Sequence, residues 1–248
     1  MEGRVGTFSS SEIYKLVKSG RGKEFSAPGL TYIKEKSYEI RLGQSLSSEQ
    51  NARSTSWGKV VEAYAYSKLP NEALDSRSRL NSKKRRKHPN YLWTGAADFE
   101  AENLVGDIKS PFTRKSFCEQ VDIYSEVEKG NLNAFKEAKP EYYWQLVSNA
   151  ILANSEYAMA VCYCPYEDDV LEILSEENLQ YDANDPEDVN QAKEKVKWLT
   201  LEETPYLKND CAYSDINWVK FKVPQEDKEF LTQRVELAEK ELRKLLNA

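Results

Sequence analysis

In the stretch YLWTGAADFEAENLVGDIK, Tyr91 to Lys109, apolar and acidic residues alternate: Ala97, Phe99 and Ala101 interleave with Asp98, Glu100 and Glu102. That period of two predicts a half-buried strand. Leu104 to Lys109 predicts a second, and Asn103 tolerates positive φ, so a tight turn at Glu102-Asn103 makes the two a hairpin. With those turn residues, Ala101 faces Leu104 and Asp98 faces Asp107. Residues opposed in this way have Cβ atoms about 4.5–5.5 Å apart. Two carboxylates at that spacing repel unless a cation lies between them. Mg²⁺ suits, because it is hard and often uses only one or two carboxylates plus water and phosphate oxygens. Lys109 leaves the same strand face as Asp107, so its amine can position or help deprotonate a water attacking a metal-polarised phosphoryl group. The bland alternative is a salt-bridged surface hairpin. A one-residue slip would send one strand's side chains to the other face.

The chain has 248 residues, 40% hydrophobic and 31% charged, enough apolar material for a sizeable core. It predicts one domain over 1–248, with a core at about 50–165, an acidic insertion at 166–195 and a C-terminal strand and helix at 215–248. Its apolar runs fall short of the ~20 residues that span a bilayer, and the N-terminus lacks the apolar core of a signal peptide. A cytoplasmic location without a membrane partner is expected. The single histidine, His88, argues against histidine-based triads and paired-histidine metal sites. Cys118, Cys162, Cys164 and Cys211 form no CxxC and are expected to be free, with Cys162 and Cys164 buried.

Charge is uneven. Residues 1–120 carry 21 Lys and Arg against 14 Asp and Glu, and residues 121–248 carry 14 against 27, so the halves are +7 and −13. The run 77–88 is basic without an acid, and 165–191 is acidic without a base. Such asymmetry can orient a polyanion on one face although the total charge is −6. Ordinary solvated surface is the competing explanation.

Serine-capped Ser9 to Lys18 predicts a short helix, 19–30 a loop, and Thr31 to Ile40 a short strand or helix. Ser54, Thr55 and Ser56 offer N-caps to a helix reaching about Leu69 and stopped by Pro70. Trp57, Val60, Val61, Tyr64 and Ala65 recur there at helical spacing as a buried stripe. Residues 70–90 are expected to be a mobile loop. Tyr142 to Asn154 holds no charged residue, so it is a helix buried on most sides. Tyr157 to Tyr163 predicts a central strand, 166–195 a partly helical segment, Ile216 to Val223 a further strand. Pro224 opens a last helix with Leu231, Val235, Ala238, Leu242 and Leu245 on one stripe. The expected fold is α/β, a central mixed sheet of about five strands flanked by helices.

Two more polar residues stand on buried helices. Glu62 lies one turn beyond Gly58, and a carboxylate beside an apolar stripe requires a cation. Gly58 itself costs about 1 kcal/mol of helix propensity, which implies close packing or close backbone approach. Gln145, in the uncharged helix, needs a buried polar partner, and Asn149 shares its face. Taken in order, Gly58-x-x-x-Glu62, Asp98, Asp107-x-Lys109 and Tyr142-Tyr143-Trp144-Gln145 resemble the PD-(D/E)XK nuclease superfamily with its restriction-endonuclease-like core. More narrowly they resemble the phage lambda exonuclease or YqaJ-type viral recombinase family, over about residues 50–165.

The resemblance implies a Mg²⁺- or Mn²⁺-dependent exonuclease that digests one strand of linear double-stranded DNA from its 5′ end. Asp98, Asp107 and the Ile108 carbonyl would hold metal, with Glu62 completing the site. Lys109 would serve the nucleophilic water, and Gln145 would orient phosphate or lysine. A ring-shaped homotrimer and a single-strand-annealing partner are also implied. The chain departs from the family pattern in having Ala97 where proline often precedes the first acid, aspartate where glutamate is commoner in D-x-K, and Asn149 where the wider group often has tyrosine. Glu100 shares the Asp98 face as an alternative ligand. Arg53, Ser54, Thr55 and Ser56, before the Glu62 helix, could hold a phosphate, and Lys83, Lys84, Arg85 and Arg86 could grip the DNA backbone. Trp57 and Trp93 are expected in the core rather than stacked on bases. A site-cutting or repair nuclease of the same fold, and a non-catalytic DNA-binding module with structural ion pairs, remain the alternatives.

Overall fold

The computed structural model describes residues 5–46, 53–69, 79–80 and 85–247. After β1 (Phe8–Ser9) comes a 3₁₀ helix (Ser10–Leu16), then α1 (Ala27–Leu42) and α2 (Arg53–Ser67). Strands β2 (Arg79–Leu80), β3 (Arg86–Lys87), β4 (Trp93–Gly95), β5 (Phe99–Ala101) and β6 (Leu104–Lys109) follow. Helices α3 (Arg114–Glu128), α4 (Leu132–Ala138) and α5 (Pro140–Ala153) lead to β7 (Tyr157–Tyr163). The chain continues through α6 (Glu167–Ile173), α7 (Glu187–Val196), a 3₁₀ turn (Leu201–Glu203), β8 (Ile216–Lys222) and α8 (Gln225–Asn247).

Five strands form the mixed sheet that the sequence predicts, in the order β2-β5-β6-β7-β8. Only β6 and β7 run parallel in it. Parallel neighbours need a long crossover, and α3, α4 and α5 supply it. A smaller sheet has the order β1-β4-β3. The β5–β6 hairpin has the expected register, with Ala101 opposite Leu104, Glu100 opposite Val105 and Phe99 opposite Gly106. Asn103 takes the left-handed conformation at φ 67°, and its side-chain oxygen accepts the Glu156 amide at 2.6 Å, which ties the turn to the start of β7.

Alternation along β7 divides the core between two faces. Ala158, Ala160 and Cys162 pack with residues of α3, α5 and α8, whereas Met159, Val161 and Tyr163 pack with α2, α6 and α7. The α8 stripe is buried at Leu231, Val235, Ala238 and Leu242. Trp57 and Trp93 lie fully in the core, and Cys162 and Cys164 are buried free thiols.

Several expectations are corrected. Helix α1 starts inside the stretch expected as loop, because Pro28 is compatible with a first helical turn. Thr31 to Ile40 is therefore helix throughout. Ser54, Thr55 and Ser56 lie inside α2, not before it. Arg79–Leu80 and Arg86–Lys87 pair as strands, with β5 and β4 respectively, instead of belonging to a mobile loop. The stop assigned to Pro70 lies outside the described residues. Helices α3 and α4 occupy a stretch for which no element was predicted. Gly58 is not held to glycine by close packing: among the described residues a Cβ there would meet no atom within 4 Å beyond its own stretch of helix.

Gly106 does require its hydrogen. A Cβ there would lie 1.8 Å from the fully buried Phe99 ring across the hairpin. Gly106→Ala is expected to destabilise the protein by about 1–3 kcal/mol, an overpacking cost, read as a lower melting temperature by circular dichroism. Gly58→Ala is expected to stabilise it by up to about 1 kcal/mol through helix propensity. Unchanged melting in the first variant, or a loss in the second, would contradict these packing assignments.

Candidate active site

The hairpin brings Asp98 and Asp107 to one place. Asp98 stands just before β5, and its amide donates at 3.0 Å to the carbonyl of Gly106, already the partner of Phe99, so the expected one-to-one pairing of Asp98 with Asp107 is replaced by two residues facing Gly106. Its carboxylate Oδ2 accepts the Ile108 amide at 2.7 Å. Asp107, only 2% exposed, points to the α5 side of the sheet. There its Oδ1 accepts from Gln145 Nε2 at 2.7 Å, and its Oδ2 pairs with Lys109 Nζ at 2.5 Å. Lys109 Nζ in turn donates to Gln145 Oε1 at 3.3 Å. Asp107, Lys109 and Gln145 thus close a ring of three mutual contacts, and Gln145 has the buried polar partners that its uncharged helix requires.

Burial pushes the Asp98 carboxyl well above the usual carboxylate range, and the charges of Asp107 and Glu62 push the same way. Burial alone would depress the Lys109 amine, but the carboxylates of Asp107 and Asp98 outweigh it and raise it above the usual lysine range. The carboxylates of Asp107 and Glu62 thus both act on Asp98, with the Lys109 ammonium opposing them. Hard oxygen donors of this kind are the type that Mg²⁺ takes. Among the described residues no three His, Cys, Asp or Glu side chains are close enough to hold one ion by themselves. The residues that would hold it are therefore Asp98 and Asp107, within the one-or-two-carboxylate habit of Mg²⁺.

Asp98, Glu62 and Gln145 open onto a cleft of about 1000 Å³. Thr55 and Ser56 from α2 line it, as does Arg85, while Ser54 does not. Arg53 is exposed and paired with Glu203 at 3.0 Å. Lys83 and Lys84 lie outside the described residues. Arg86 grips Glu100 with two hydrogen bonds of 2.8 and 2.7 Å. This engages both the Glu100 carboxylate, the alternative ligand, and the Arg86 guanidinium within the protein. Asn149 is buried, with its amide on the Ala96 carbonyl at 3.4 Å. The acidic insertion forms a cleft wall: Asp182, Asp185 and Asp188 line it, Asp188 pairing with Lys59 at 3.2 Å and Asp185 with Lys193 at 2.8 Å.

Two features escaped the sequence. Ser9, Ser10 and Ser11 line the cleft rather than only capping a helix. Their signal was the triple serine itself. Tyr142 lies beneath the Lys109 amine, its ring centroid 5.1 Å from Nζ, and its signal was the three-residue spacing to Gln145.

No family model and no curated relative matches the chain. Solved structures do. LHK-Exo in complex with dAMP aligns with TM-score 0.61 and 13% identity, over 98% of this chain and 91% of that one. A phage-related exonuclease from Haemophilus somnus 129PT aligns with TM-score 0.60 and 17% identity, over 97% and 95%. The alkaline exonuclease LHK-Exo from Laribacter hongkongensis aligns with TM-score 0.55 and 13% identity, over 98% and 92%. The chain has the fold of the phage-related and alkaline exonucleases across nearly its whole length. Among the described residues no helix is long and apolar enough to cross a membrane.

In metal-free buffer, Asp98→Asn is expected to raise the melting temperature by relieving carboxylate repulsion, since an amide oxygen can still accept the Ile108 amide. Millimolar Mg²⁺ is expected to raise the melting temperature of the wild type, by preferential binding to the folded state, and not that of the variant. Equal Mg²⁺ responses in differential scanning fluorimetry would dismiss the assigned ligands.

Proposed function

We propose that this chain is a Mg²⁺-dependent deoxyribonuclease that degrades linear double-stranded DNA from its ends, 5′→3′, in phage-type recombination. The supporting observation is the closed ring of Asp107, Lys109 and Gln145 set against Asp98, with Glu62 opening onto the same cleft. It stands on a fold shared with exonucleases. Mn²⁺ is expected to substitute for Mg²⁺.

Asp98, Asp107 and the Ile108 carbonyl are the residues that would hold the ion, with Glu62 beside them. Bound there, the ion supplies Lewis-acid polarisation of a phosphoryl oxygen and lowers the proton affinity of a bound water. The chain's own residues do the rest. Gln145 fixes one Asp107 oxygen by hydrogen bond, so the carboxylate cannot rotate away from the strand. Lys109, as an ammonium with three donors, is positioned to donate to the attacking water or to a non-bridging phosphoryl oxygen. Thr55, Ser56 and Arg85 offer donors along the cleft for the phosphates that carry no sequence information. The annealing-protein partner and the trimeric ring belong to the same proposal and follow from the resemblance.

Lys109→Ala is expected to lower turnover by at least about 100-fold, the scale of a lost transition-state donor, with DNA binding nearly unchanged. The assay is Mg²⁺-dependent release of mononucleotides from linear duplex labelled at its 5′ or 3′ end, against a closed circle. Early loss of the 5′ label with the circle intact supports the proposal. A cut circle favours an endonuclease of the same fold. Absence of Mg²⁺-dependent cleavage, with DNA still bound, favours a non-catalytic module.

A further inference from the structure

Lys109 carries its charge on a flexible four-carbon stem, and its two hydrogen-bonding partners define only part of its position. Asp107 lies two residues before it on the same strand. Gln145 accepts at 3.3 Å, near the long end for such a bond. A second carboxylate, Asp98, also attracts the amine and could draw it across the hairpin. What faces the ammonium from helix α5 is an aromatic ring: Tyr142 has its centroid 5.1 Å from Nζ, inside the ~6 Å range of a cation–π contact. Tyr142 and Gln145 are three residues apart and so share one face of α5.

The helix holds that face still. Tyr143 and Trp144, between the two, are buried, and the Tyr143 hydroxyl donates to Asp227 at 2.5 Å. Pro140 begins the helix only two residues before Tyr142. The backbone that carries the ring is therefore held in place. A neutral ring can hold a cation in place without using its N–H donors, which a third carboxylate would consume.

We propose that Tyr142 is a positioning residue of the hydrolytic site, the face of its ring holding the Lys109 ammonium against Asp107 and Gln145. The inference rests on the nuclease reading for its kinetic consequence, while the ring–ammonium contact stands apart from it. Both parts have a readout.

The kinetic test compares Tyr142→Phe, Tyr142→Trp and Tyr142→Leu on linear duplex DNA. The first two keep a π face and are expected to retain kcat within about two-fold. Tyr142→Leu is expected to lose about 2- to 30-fold in kcat, the conversion of about 0.5–2 kcal/mol for such a contact, with KM unchanged. Full activity in Tyr142→Leu overturns the proposal. So does a loss in Tyr142→Phe equal to that in Tyr142→Leu, which would make the hydroxyl the active part, or a rise in KM in place of the fall in kcat. Should Tyr142→Leu fail to fold by circular dichroism, Tyr142→Met, also without a ring, carries the same comparison. The contact itself is read from melting temperatures in a double-mutant cycle of Tyr142→Leu and Lys109→Met. Non-additive losses support it and additive losses overturn it. A wild type that does not cleave strikes the nuclease reading alone, because this cycle needs no turnover.

Discussion

Two carboxylates brought close together by one hairpin place the strongest constraint on this molecule. Asp98 and Asp107 come near each other because the turn at Asn103 folds β5 back on β6, with Asp98 just beyond the last register pair, Phe99 and Gly106. Like charges so placed in a low-dielectric site are costly. The protein offsets the cost locally: the Ile108 amide donates to Asp98, and Lys109 and Gln145 take one oxygen each of Asp107. The offset is incomplete: burial and the neighbouring charges of Asp107 and Glu62 still push the Asp98 carboxyl upward.

The sheet delivers this pair and the helices finish the site. Odd-numbered residues of β6 face α5, so Asp107 and Lys109 reach Gln145, while Leu104 and Ile108 pack toward α2. Gly106 keeps the hairpin tight by leaving room for the Phe99 ring. On the other side of the cleft, α2 presents Glu62 while burying Trp57, Val60 and Val61. The same strand alternation thus builds both the two-faced core and the site.

Acids of this negatively charged chain are placed against cations at the cleft. Asp188 and Asp185 pair with Lys59 and Lys193 at the cleft, and Glu203 pairs with Arg53. These pairs are partly solvent-exposed, and exposed pairs hold weakly, about 0–1 kcal/mol each. The acidic segment therefore engages cations at the cleft through pairs that a competing anion could displace at modest cost.

Local pattern sufficed where the signal was periodic or turn-specific. The alternation around Asp98, the turn at Asn103, the uncharged run Tyr142 to Asn154 and the strand Tyr157 to Tyr163 could all be read before any coordinates, because strand alternation and helix burial leave their mark residue by residue. The hairpin pattern was enough to expect Asp98 near Asp107 and Lys109 on one strand face, although the ladder itself ends at Phe99 and Gly106. What the chain could not show locally was decided by packing between distant segments. Glu100 is held by Arg86 because β3 reaches the site edge, fourteen residues earlier in the chain. Helices α3 and α4 are stabilised by the core face that they cover, not by a strong local signature. Tyr142 meets Lys109 only because a parallel crossover brings α5 over β6; the spacing to Gln145 marks the helix face, but only the packing of α5 on the sheet shows that the face meets Lys109.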